Sequence, residues 1–167
     1  MAPRFLTALA AAACLACAAC EPASPADGGT WRTSIGGKDF SLTVSASDAT
    51  RTRGLGGAAS IPDDGGMVFV FPNAEMRGFW MKDCVIDMDI VYLDPMGYVT
   101  AIHTMRKEPP RRNDESPFVY ESRLPRYSSV LPAQFAIELR AGRAAELGLR
   151  TSQKVKIDAA ALKAALR

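Results

Sequence analysis

The chain has 167 residues, 48% of them apolar, and a formal net charge of +2. That is enough material for one domain with its own core and no need of disulfide staples. The small net charge provides no dense basic face, so nucleic acid is not expected as a partner.

Met1–Ala19 has the layout of a secretion signal. Arg4 gives the positive start, Phe5–Leu15 the apolar core, and small residues lead to Cys20. The apolar stretch falls short of the roughly 20 residues that span a bilayer. Cys17-Ala18-Ala19-Cys20 resembles a bacterial lipobox with Cys20 as the lipidated residue, although Cys17 stands where leucine is usual. Ordinary cleavage after Ala16-Cys17-Ala18 also fits the small-x-small rule. The expected location is therefore the cell envelope, lipid-anchored through Cys20, or else periplasmic or secreted. Cys14 and Cys17 leave with the signal. An acylated Cys20 leaves Cys84 as the only thiol, whereas a free Cys20 leaves a Cys20–Cys84 bridge open.

Residues 20–29 are rich in proline, alanine and glycine and read as a flexible tether. Residues 30–158 form the domain and residues 159–167 an alanine-rich helical tail. Trp31–Ile35 and Phe40–Ser45 flank Gly36-Gly37 as a hairpin, with Phe40, Leu42 and Val44 inward. Asp48 is expected to cap a short helix over Ala49–Arg53, ended by Gly54. After turn residues at Pro62–Gly66, the apolar run Met67–Phe71 reads as a strand buried on both faces. Gly78–Val85 is expected to return as a strand. Met88–Leu93 and Tyr98–Met105 make a second hairpin around Asp94-Pro95-Met96-Gly97. The proline-rich, charged Arg106–Arg126 reads as a long irregular loop. Gln134–Leu139 is a strand, Gly142–Leu147 a short helix and Lys154–Ile157 a closing strand. Many short strands with turns between them predict a mainly β fold, a compact sandwich or barrel with a few short helices.

The chain resembles the DUF192 (UPF0127) family. The resemblance rests on Arg53-Gly54-Leu55, Gly66–Phe71, Phe79-Trp80-Met81-Lys82 and Asp89–Asp94, then Gly97, Val99, Tyr127, Ser129, Pro132-Ala133, Glu138-Leu139 and Ala141-Gly142. It covers roughly Ser41 to Asp158. Gly56 and Asp87 depart from the family pattern, which has Met and Pro at those places. The resemblance implies a compact β-rich domain whose biochemical role is unassigned.

Phe79-Trp80-Met81-Lys82 is the sharpest candidate site. On a strand, Trp80 and Lys82 share one face, an aromatic plate beside a cation suited to a carboxylate, a sugar or a peptide. The structural alternative is that Trp80 caps the core while Lys82 passes it into solvent. Asp87 and Asp89, two apart, also share a strand face, where they suit acid–base work or a hard cation unless they form a solvated face. His103 is the only histidine, and no paired metal-ligand spacing accompanies it. Glu138 interrupts an apolar strand and needs a partner, for which Arg53 or Lys82 are candidates. The basic residues of 106–126, Arg126 among them, read as a contact for anionic lipid or as a solvated loop.

The leading expectation is a non-enzymatic envelope domain that binds a small molecule or an envelope-protein partner. Its site would be lined by Arg53, Trp80, Lys82, Asp89 and Tyr127, with no metal and no cofactor. The alternatives are a metal-assisted or acid–base hydrolase using Asp87, Asp89 and His103, and a purely structural envelope protein.

Overall fold

A computed structural model describes residues 24–167. The signal, Cys20 and the first part of the tether lie outside the described residues. The fold is mainly β. A six-stranded sheet runs through β1 (Thr30–Ile35), β2 (Lys38–Ser45), β3 (Met67–Glu75), β5 (Met88–Leu93), β6 (Val99–Met105) and β8 (Ala133–Arg140). A small ribbon pairs β4 (Gly78–Phe79) with β7 (Tyr127–Ser128). The sheet order is β1-β2-β3-β8-β5-β6, so its two edges stay apart and no barrel closes.

The two expected hairpins form. Gly36 and Gly37 both take positive φ, the geometry that a two-residue turn between twisted strands requires. In the second turn the Asp94 carboxylate accepts from the amides of Met96 and Tyr98. β2 and β3 are parallel neighbours, so residues 46–66 must cross from one end of the sheet to the other. α1 (Asp48–Arg53) lies in that crossover. Its cap is Ser47, one residue before the expected Asp48, in a reciprocal capping box with Thr50.

The apolar runs in β3, β5 and β8 are continuous because these strands are covered on both faces. Val68, Val91, Phe135 and Ile137 face a first core closed by α3 (Arg143–Glu146), α4 (Ala159–Ala164) and the chain between them. Phe69, Ile90, Tyr92 and Ala136 face a second core closed by the ribbon and by Leu55, Met81 and Ile86. At the start of β3, Gly66 passes against β8: a side chain there would meet the Glu138 carbonyl at 2.2 Å.

Three expectations are corrected. The return strand shrinks to Gly78–Phe79, and further on Asp83 takes a left-handed turn. Lys154–Ile157 is not a strand and contributes one bridge, Tyr98 to Lys154. The loop over 106–126 contains α2 (Pro117–Arg123), started by Ser116 as N-cap with proline next to it. Ser-Pro is a legible helix start that proline richness obscured.

Candidate functional site

A cleft of about 490 Å³ opens on the second-core side of the sheet. Its floor and inner walls are aromatic. Phe79 stands edge-on to Phe69 at 4.8 Å and to Tyr92 at 5.6 Å, with Phe71 at 6.4 Å. The strand period puts Phe69 and Phe71 on one face, and the ribbon lays Phe79 over them. The end of α1 supplies a second wall through Arg53, Gly54 and Leu55.

The mouth is cationic. Trp80 is half-buried, with the Arg126 guanidinium 3.5 Å from its ring centre and Lys82 Nζ at 5.6 Å. Lys82 also pairs with Glu121 of α2 at 2.5 Å, which raises its pKa. Arg77 lies 4.1 Å over the Phe71 ring, pairs with Glu75 and donates to the Asn73 carbonyl, while its Nε has no partner. Arg51 is occupied by Asp48 and by the carbonyls of Ala46 and Val70. Among the described residues Arg53 and Arg126 make no ion pair. The two carboxylates on the rim, Asp48 and Glu75, are each held by an arginine, so the excess charge of the mouth is positive.

Glu138 lies at the inner end of the cleft. It is 5% exposed, and its Oε2 is buried without a hydrogen-bond partner. Alternation along β8 forces this placement: Phe135, Ile137 and Leu139 take the first core, so Ala136 and Glu138 take the second. Burial pushes the Glu138 carboxyl up to about 8, against a smaller opposing pull from the Leu55 amide. The expected ion pair with Arg53 or Lys82 does not form. Arg53 points to the exposed mouth and Lys82 is taken by Glu121. Cys84 lines the same cleft, and burial together with the nearby Glu138 pushes its thiol up to about 11.

Of the five residues expected to bind ligand, the cleft gathers Arg53, Trp80 and Lys82. Asp89 is elsewhere. It is 1% exposed on the first-core side, accepting from Thr104 Oγ1 at 2.8 Å and from the Ala144 amide of α3 at 2.9 Å. Odd-numbered residues of β5 face the helices, which makes Asp89 a tie between sheet and α3. Tyr127 is also outside. Its hydroxyl accepts from the Arg106 amide, and its ring sits 5.8 Å from His103.

Asp87, Asp89 and His103 do not converge. Asp87 is held by Arg106 and by the Lys107 amide, whose hydrogen bonds keep its carboxyl below the usual range. His103 pairs across from Ile90 on the second-core face, opposite Asp89, and its Nε2 donates to the Ser128 carbonyl at 2.7 Å. Among the described residues no three His, Cys, Asp or Glu side chains cluster as metal ligands.

Arg77 was not singled out from sequence, Phe79 was read as core and Arg126 as part of the basic loop, because their meeting in the cleft crosses between distant segments. Glu138 gave a signal, a lone acid in an apolar strand, but not its outcome.

The DUF192 family model, described as an uncharacterised ACR, matches residues 31–157. The chain belongs to the DUF192 family. The cleft therefore sits wholly inside the DUF192 domain. Two solved structures share the fold. A protein of unknown function from Novosphingobium aromaticivorans DSM 12444 is 26% identical, with a TM-score of 0.59 over 77% of this chain and 82% of that one. A candidate transcription regulator from Sinorhizobium meliloti 1021 is 20% identical, with a TM-score of 0.59 over 75% and 89%. No curated protein matches the chain.

Proposed function

We propose that this DUF192 chain is an envelope-tethered binding domain whose cleft takes a small anionic ligand with a flat apolar body. The observation that carries this reading is Trp80, half-buried between Arg126 and Lys82 at the mouth of an aromatic cleft. A ring flanked by cations offers stacking area and charge together, and an anion gains from both. The separation of Asp87, Asp89 and His103 favours binding over acid–base hydrolysis. The lipobox-like Cys17–Cys20 and the tether after it support an anchor in the membrane through an acylated Cys20, with the cleft turned to the aqueous side.

Tryptophan fluorescence against a panel of aryl carboxylates tests the binding role. Trp31, the other tryptophan, is buried in the first core and serves as a constant background. Trp80→Ala is expected to weaken binding about tenfold while leaving the fold intact, in line with loss of a desolvated aromatic contact. Binding by no anionic aryl compound at millimolar concentration refutes the reading. Cys20→Ser is expected to move the protein from the membrane to the soluble fraction. An unchanged distribution refutes the lipid anchor.

A further inference from the structure

Resting on that binding role, we propose a two-ended ligand: a flat aryl anion whose charge meets the arginines of the mouth and whose far end carries an oxygen acceptor that takes a hydrogen bond from the Glu138 O–H. Two independent features meet here. The mouth has excess positive charge, with Arg53 and Arg126 unpaired among the described residues, so a cationic ligand is repelled. The inner end has a buried carboxyl with an orphan oxygen, and buried polar groups without partners are rare and costly. A carboxyl held neutral has one O–H to give, and a ligand acceptor is what completes it. Gly54 and Phe69 lie beside that point: a side chain at Gly54 would stand 3.7 Å from Oε2 and 3.4 Å from Phe69.

The groups facing Glu138 do not compete for its proton. Cys84, from the segment after the ribbon, is pushed up to about 11. Tyr92 of β5 is raised as well by burial, and its hydroxyl donates to the Tyr127 carbonyl. Lys82 is raised by Glu121. Asp48 and Glu75 are held on the rim by Arg51 and Arg77. His103 lies behind Tyr92, on Ser128. Burial pushes the Glu138 carboxyl up to about 8, so the O–H is present below that and lost above it.

The experiment compares three probes on the full chain by calorimetry: para-acetylbenzoate, para-isopropylbenzoate and para-acetylbenzylammonium. The keto acid is expected to bind at least about fivefold tighter than the isopropyl acid, the value of one hydrogen bond. The ammonium is expected not to bind. The preference for the keto acid should be lost as Glu138 ionises. Glu138→Gln retains an N–H donor and should keep the preference for the ketone while losing that pH dependence. Glu138→Leu should bind both acids alike. If both acids bind equally to the native protein and Glu138→Gln changes nothing, this proposal is overturned while the anion-binding role stands. If neither acid binds, the binding role itself falls. If the ammonium binds better than either acid, Glu138 acts as an anion and the proposal is wrong.

Discussion

Replacing Glu138 by glutamine should stabilise the protein, and by more as the pH rises. The carboxyl has an ordinary value of 4.5 and is pushed to about 8 by burial. Between these values the folded state holds a proton that the unfolded chain releases. Bound protons are then more numerous in the native state, so stability falls as pH rises through this window and is level on either side. The slope is about 1.4 kcal/mol per pH unit. At about pH 5 the cost is about 1 kcal/mol, and at about pH 7 it reaches about 3 kcal/mol. Glutamine has nearly the same shape and does not ionise. Urea unfolding followed by Trp31 fluorescence, run on both proteins across this range, isolates the term. All other titrating groups cancel in the difference between the two curves. The expected gap widens from about 1 to about 3 kcal/mol over those two pH units. Parallel curves would refute the reasoning, since they would mean that the Glu138 carboxylate has a compensating cation in the folded protein.

Asp89→Ala should cost about 2–3 kcal/mol in the same assay, because it strands the Ala144 amide and removes a buried charge-assisted bond. Ligand affinity of the folded variant should be unchanged, and a loss of affinity would place Asp89 in the binding machinery after all. Cys84, with its thiol pushed from 9.0 to about 11, should react with iodoacetamide roughly a hundredfold more slowly at mildly alkaline pH than in the unfolded chain, as read by peptide mapping. Rapid labelling in the folded state would show that the cleft is wetter than its geometry implies.

The elements whose signals are local were legible in the sequence. Gly36-Gly37 and Asp94–Gly97 announce hairpins, and the unbroken apolar run Met67–Phe71 announces a strand covered on both faces. The site was only partly legible. Trp80 and Lys82 were found as an aromatic beside a cation, although they were placed on a strand that stops at Phe79. Asp89 misled because family match and polarity single it out, whereas β5 parity turns it toward α3. That choice of face depends on which side the helices cover, which no local pattern encodes. Arg126 joins Trp80 only because β7 pairs with β4, a contact between residues more than forty positions apart. Glu138 was seen to need a partner; its candidate Lys82 is taken by Glu121, and its Oε2 is left without one.

The parallel pairing of β2 with β3 has a consequence for how relatives of this chain can diverge. The connection over residues 46–66 is pinned at both ends by adjacent strands, and its middle forms one wall of the cleft. Lengthening such a segment costs little, about 0.6 kcal/mol per doubling. The wall can therefore gain or lose residues without disturbing the sheet beneath it. Insertions there would reshape the cleft while keeping its aromatic floor, so a single scaffold can be retuned to different guests by changing one surface segment.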